Sequence, residues 1–143
     1  MEKPRFKDTG KGIYHFLDCV LVECPRCHRC AKIIGNPRKY YPKLVCEMCG
    51  LTRSKQSVNI GSEKYGEFIL WLKTDCCGNT LWAYNEEHLD YLESYVSASL
   101  REHIPNINNN SLASRLPNWI KSAKNRESIL KCILKLRQRL NSK

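Results

Sequence analysis

The stretch VECPRCHRCAK, Val22 to Lys32, places Cys24, Cys27 and Cys30 at even three-residue spacing, and VCEMCG, Val45 to Gly50, adds Cys46 and Cys49. A tetrahedral metal takes four ligands, so one of these five thiols is surplus. Cys24-x-x-Cys27 and Cys46-x-x-Cys49 are separated by eighteen residues. That spacing suits two turns on two hairpins closing on one ion. The second turn ends in Gly50, which enters the positive-φ region at no steric cost. His28 holds the matching slot of the first turn, and histidine tolerates that region better than most side chains. The spacing therefore predicts Cys24, Cys27, Cys46 and Cys49 as ligands of one metal. The metal is expected to stabilise folding and to do no chemistry.

These residues, CPRC at 24–27 and CEMCG at 46–50, resemble the knuckles of the zinc-ribbon superfamily, of the transcription factor IIB and rubredoxin-like types. The resemblance spans 27 of the 143 residues and so concerns a module. It implies one structural zinc, three short strands, and contact with nucleic acid or protein. His28 departs from it, because glycine is usual there. Leu70 to Trp82, LWLKTDCCGNTLW, followed by helices, also resembles small bacterial zinc-ribbon proteins of unassigned function. Iron of the rubredoxin type would use the same four thiols. It ranks below zinc because nothing else in the chain suggests electron transfer. Cys30 has three readings: an inert first residue of the next strand, a substitute ligand, or a partner of Cys76 or Cys77.

The chain has 143 residues, 42% of them hydrophobic, with nine cysteines and a net charge of +10. No run approaches the ~18 consecutive apolar residues of a membrane span, and the N-terminus lacks the apolar core of a secretory signal. A soluble, cytoplasmic protein without disulfides is the expectation. The charge falls in blocks. Residues 24–55 carry eight basic and one acidic side chain, residues 56–110 three and eight, and residues 111–143 nine and one. Basic blocks of this kind fit phosphate contact, although they also offset the acidic middle.

Short apolar runs at 16–22, 31–35 and 43–46 read as strands around the cysteines. Residues 67–75 read as one strand, followed by a hairpin centred on Gly78-Asn79. Asn85 is placed to cap a helix ending near Glu102 or His103, with Glu86 and Glu87 in its first turn. Ser111 opens a short helix, Pro117 precedes another, and Asn125 caps the last one. There Ile129, Ile133, Leu136 and Leu140 form a stripe that Leu130 and Leu134 widen. The order predicts an α+β fold in three stretches: a zinc ribbon over residues 1–60, a β-hairpin plus helix over 61–105, and a basic helical tail over 106–143. The hairpin is expected to extend the ribbon's sheet or to lie under the helix.

Nucleic acid, DNA or RNA, is the first partner expected. Its candidate contacts are Arg26, Arg29, Arg38, Lys39, Tyr40, Tyr41 and Lys43 in the ribbon and Arg115, Lys121, Lys124 and Arg126 in the tail. Cations beside exposed aromatics hold phosphates and stack bases. An adaptor docking an acidic protein is the alternative. A thiol-dependent or nucleic-acid-processing enzyme ranks third. Cys76 and Cys77 lack a base, His88 reads as a solvent-facing residue of an early helical turn, and no phosphate-binding glycine loop is present.

Overall fold

The computed structural model describes residues 5–8, 16–36, 42–54, 64–98, 100–103 and 116–142. The fold is α+β. Strands β1 (Arg5–Asp8), β2 (Cys19–Glu23), β3 (Cys30–Ile34), β4 (Lys43–Val45), β5 (Thr52–Ser54), β6 (Lys64–Tyr65), β7 (Phe68–Ile69), β8 (Leu72–Cys76) and β9 (Asn79–Ala83) precede helix α1 (Glu86–Ser97). Strand β10 (Leu100–His103), helix α2 (Asn118–Lys121), a 3-10 turn (Ala123–Asn125) and helix α3 (Arg126–Asn141) follow.

The ribbon is a four-stranded antiparallel sheet in the order β2-β3-β4-β5. Val20, Val22, Ala31, Ile33 and Leu44 are buried on one face. Lys32, Ile34, Lys43 and Val45 occupy the other, which is exposed or half-buried. Side chains two apart on a strand share a face, so β3 and β4 bury one side only, while β2 also buries Leu21 on the other, against the second core. The strand expected from Phe16 begins at Cys19. Phe16 and Leu17 form a helical turn whose side chains close the buried face.

Leu21 joins this sheet to the rest of the molecule. Its amide donates to the Tyr84 carbonyl at 2.8 Å, and its carbonyl accepts from Trp71 at 3.0 Å. A single bridge pairs Val22 with Leu70. The free edge of β2 is therefore gripped by Trp71 and Tyr84, which flank the open end of the β8–β9 hairpin, and the hairpin remains a separate two-stranded sheet. This attachment breaks the long strand expected over 67–75. It bends at Trp71 into β7 and β8, because Trp71 turns its amide to Leu21. The hairpin turn lies at Cys77-Gly78, one residue before the expected centre, since Cys76 pairs with Asn79. Both turn residues have positive φ, 53° and 77°. That is the type I′ geometry whose twist suits a two-residue hairpin loop.

Asn85 caps α1 as expected: its Oδ1 accepts from the His88 amide at 2.9 Å. Its Nδ2 donates to the Phe16 and Cys19 carbonyls, both at 2.7 Å. One side chain thus starts the helix and ties it to the ribbon. His88 is not on the solvent side. It is 2% exposed and stacks on Phe16 at 5.0 Å. Its Nδ1 accepts from the Tyr84 amide at 3.0 Å. An imidazole in the third helical position thereby reaches back to a backbone N–H beside the cap, as a glutamine does in a capping box. Burial pushes its pKa down to about 3.

Helix α1 ends at Ser97, short of the expected Glu102, and Ala98 is extended. Arg126 is the reason on the helix side: its guanidinium donates to the Val96 and Ala98 carbonyls at 3.0 and 3.1 Å. Those carbonyls lack intrahelical partners at a helix end. On the strand side, β10 pairs in parallel with β1, a partner that local periodicity does not show. The helix expected from Ser111 lies outside the described residues. Asn125 begins α3 but does not cap it through its side chain, which instead donates to the Trp119 carbonyl at 2.9 Å. The buried stripe of α3 includes Cys132, whereas Leu134 is 59% exposed. The stripe therefore widens on both sides, through half-buried Leu130 as expected and through Cys132 on the other flank, while Leu134 stays outside it.

Two apolar cores result. One unites the ribbon face with Tyr65, Phe68, Leu70 and Tyr84. The other joins the hairpin, α1 and α3 with Leu21, Leu116 and Ile120. Each draws on more than one of the three stretches of sequence.

The neutral His88 makes a prediction. A folded-state pKa near 3 against about 6.5 unfolded means that the unfolded chain binds the extra proton between those values. Stability contributed by neutral His88 is full above about pH 6.5 and falls as the pH drops towards 3, with a slope of up to about 1.4 kcal/mol per pH unit. Urea unfolding of wild type and His88→Gln across this range should give a steeper acid loss for wild type. Equal slopes would contradict the buried neutral imidazole.

Candidate metal centre

Cys24 to Cys27 form the turn between β2 and β3, and Cys46 to Cys49 the turn between β4 and β5. The two turns are built alike, each residue having its equivalent 22 positions on. The Cys24 amide donates to the Arg29 carbonyl at 2.7 Å, as the Cys46 amide does to Leu51 at 2.9 Å. The His28 and Gly50 amides donate back to the Cys24 and Cys46 carbonyls, each at 2.9 Å. His28 has φ 62° and Gly50 φ 80°, so the slot identified in the sequence is left-handed in both turns. The equivalence is one of backbone, and outside the cysteines the two segments share too little sequence for it to be read there.

Closing the sheet brings the four thiols together. Their Sγ atoms all lie within 4.8 Å of one another. Cys24 and Cys49 are 3.7 Å apart, and Cys27 and Cys46 are 3.5 Å apart. A tetrahedron of sulfurs about 2.3 Å from a central ion has an edge of roughly 3.8 Å, so these separations leave one metal-sized place. Cys24 and Cys46 are buried, and Cys27 and Cys49 half-buried.

The electrostatics suit a cation. Burial opposes ionisation of Cys24. The amides of Cys27 and Arg26 and the thiols of Cys49 and Cys46 more than offset this and bring its pKa down to about 6. The Arg26 amide lies 3.4 Å from that sulfur. For Cys27, the Arg29 amide favours the thiolate, but burial and the sulfurs of Cys46, Cys24 and Cys49 push it up to about 11. Thiols packed this closely cannot all ionise together until a positive ion neutralises them, so metal loading must release protons.

Cys30 is the first residue of β3 and stands outside the cluster, half-buried against the hairpin–helix core. This agrees with the inert reading. Among the described residues, the thiols grouped with Cys76 are Cys77 and Cys132, not Cys30.

The basic side chains divide by role. Arg26 and Arg29 are exposed on the first metal turn, with His28 between them. Lys43 is exposed at the start of β4, three residues before Cys46, and so roughly 10 Å along the strand from the metal turn. Arg38, Lys39, Tyr40, Tyr41 and Arg115 lie outside the described residues. Lys121 is half-buried on α2, and Lys124 is exposed.

The tail arginines serve the fold. Arg126 caps α1. Arg137 meets Asp90 at 2.6 Å and Glu93 at 3.3 Å. Arg139 lies 3.8 Å over the Trp71 ring and donates to the Trp71 carbonyl, while Trp71 Nε1 donates to the Arg139 carbonyl at 3.1 Å. Lysines hold the outer face of α3: Lys131 and Lys135 are exposed, with Leu134 between them. Sequence reasoning misses this division because a guanidinium committed to distant carbonyls looks, along the chain, like any other surface charge.

No family model, no curated protein and no solved structure matches the chain.

The left-handed turn at His28 is testable. His28→Gly removes the strain of a side chain at positive φ and should raise stability by up to about 1 kcal/mol with metal content unchanged. His28→Val puts a β-branched residue there and should cost about 1–2 kcal/mol. Denaturant midpoints of the metal-loaded proteins check both, and identical midpoints would contradict the geometry.

Proposed function

We propose that the chain is a zinc-binding module whose metal is structural and whose exposed cations bind nucleic acid. The observation that carries the first half is the meeting of four sulfurs from two matched turns. An all-thiolate tetrahedral donor set suits zinc or iron. Zinc is favoured because nothing else in the chain points to electron transfer. When bound, the ion supplies the positive charge that four thiolates need, and Cys24, Cys27, Cys46 and Cys49 hold it. Strands of three to five residues then depend on the metal to keep their hairpins closed. This is also the proposed ground of the likeness to zinc ribbons.

The nucleic-acid reading rests on the surface left after the intramolecular arginines are set aside. Arg26 and Arg29 project from a metal-stiffened turn, Lys43 stands at the other end of the exposed sheet face, and Lys124, Lys131 and Lys135 line the tail. Such side chains hold phosphates without reading sequence, and their affinity falls steeply with salt. A second reading has its own observation. Met48 on the second metal turn is 55% exposed, and Leu134, between Lys131 and Lys135 on α3, is 59% exposed. An acidic protein with apolar anchors would fit that combination. Catalysis by a Cys77–His88 pair gains no support, because His88 is buried and its Nδ1 is occupied by the Tyr84 amide.

Native mass spectrometry with and without chelator should find one zinc per chain and none in Cys46→Ser. Two ions, or full metal in that variant, would overturn the site. Binding to labelled single- and double-stranded DNA and RNA should weaken with salt. Charge reversal at Arg26 and Arg29, or at Lys131 and Lys135, should flatten the slope by roughly one for each phosphate no longer neutralised. Arg137→Ala should reduce stability and leave the slope unchanged. Absence of binding at low salt to all four probes would reject nucleic acid as the partner.

A further inference from the structure

The β8–β9 hairpin ends in a group of thiols that the metal site does not use. Cys76 closes β8 and faces α3. It is 4% exposed and Cys132 of α3 is 8% exposed. Cys77 is exposed at the tip. The Cys76 and Cys77 sulfurs are 3.7 Å apart, and the Cys76 sulfur also lies 4.0 Å from the Ser128 carbonyl, one helical turn before Cys132 on α3. Cys132 is further held by the Asp75 carbonyl at 3.6 Å. Cys76 thus lies between one thiol that meets solvent and one that does not. The placement of Cys77 is itself unusual. It occupies the first central position of a type I′ turn at φ 53°, where asparagine, aspartate or glycine is the ordinary choice. Asn79 directly follows the turn and donates to the Cys77 carbonyl at 3.1 Å, so a residue suited to that position stands two places away.

We propose that Cys77, Cys76 and Cys132 form a peroxide-reactive redox site, in which Cys77 takes the oxidant and a Cys76–Cys132 disulfide is the product. The Cys77 thiolate attacks one peroxide oxygen. The O–O bond breaks, Cys77 becomes a sulfenic acid, and the other oxygen leaves as water or an alcohol. The Cys76 sulfur then displaces the sulfenic oxygen as water, giving a disulfide between adjacent residues. Cys132 attacks the Cys76 sulfur of this small strained ring and returns Cys77 to a thiol. Two thiols are oxidised, one peroxide is reduced, and the protons leave with the oxygens as water.

The order follows from access. Cys76 and Cys132 are shielded from a dissolved oxidant, and burial with its two thiol neighbours pushes the Cys76 thiol well above its usual range. Cys76 therefore reacts only once an electrophilic sulfur is placed beside it. The product bolts the hairpin, which grips β2 through Leu21, to the helix that carries Lys131 and Lys135. Oxidation would lock the two cationic regions in one relative position.

The test treats the intact metal-loaded chain with substoichiometric hydrogen peroxide, blocks free thiols under denaturing conditions and maps disulfides by peptide mass. The expected result is a Cys76–Cys132 link with the metal retained. Cys77→Ser, a change at an exposed position, should slow its formation at least about tenfold. Cys132→Ala, checked for folding by circular dichroism, should stop at a Cys76–Cys77 disulfide or a dimedone-reactive Cys77. A first disulfide among Cys24, Cys27, Cys46 and Cys49 with metal release, Cys76 and Cys132 remaining reduced, would overturn the proposal. So would unchanged oxidation of Cys76 and Cys132 in Cys77→Ser.

Discussion

Four sulfurs that must share one point set the terms for the ribbon. Strands of three to five residues with one buried face cannot hold a sheet by themselves. The two turns answer this by closing β2 on β3 and β4 on β5 at the same place. Crowded thiols resist joint ionisation, so the arrangement suits a cation. The backbone contributes through matched amide bonds and two left-handed residues, His28 and Gly50. The side chains displayed at the thiol end of the sheet include Arg26, Arg29 and Met48.

The rest of the molecule is fastened to that sheet by few but specific bonds. Leu21 uses both of its backbone groups on the neighbouring hairpin. Asn85 caps a helix and binds two ribbon carbonyls with one amide. Around these bonds the aromatic cluster of Phe16, Trp82, Tyr84 and His88 excludes water. A buried histidine is tolerable there because its neutral form accepts a backbone N–H that would otherwise lose its partner.

Arginine and lysine have separated in the tail for a physical reason. A guanidinium is planar and carries several donors, so it can cap carbonyls, bridge two carboxylates or lie on an indole. Arg126, Arg137 and Arg139 do these three things in turn. An ammonium is compact and strongly hydrated, and the lysines of α3 remain outward. The formal charge of the tail therefore overstates what it can offer a partner, and the outward face is a lysine face.

Local chemistry sufficed for several features. The cysteine spacing located the four thiols that cluster, Gly50 and His28 marked the left-handed positions, Cys30 was separable as the first residue of a strand, and Asn85 announced α1. Each depends on neighbours within a few residues, where side-chain type and backbone geometry are directly coupled. Tertiary structure alone decided the rest. Trp71 bends a continuous apolar run because Leu21 needs a partner. Leu100 leaves a helical stripe because β1 pairs with its strand. His88 goes inward because aromatic rings from two segments meet around it. Cys132, not Cys30, joins Cys76 because α3 lies on β8. In all of these the determining group is many residues away in the chain, and hydrogen bonds and packing across that distance leave no mark on local pattern.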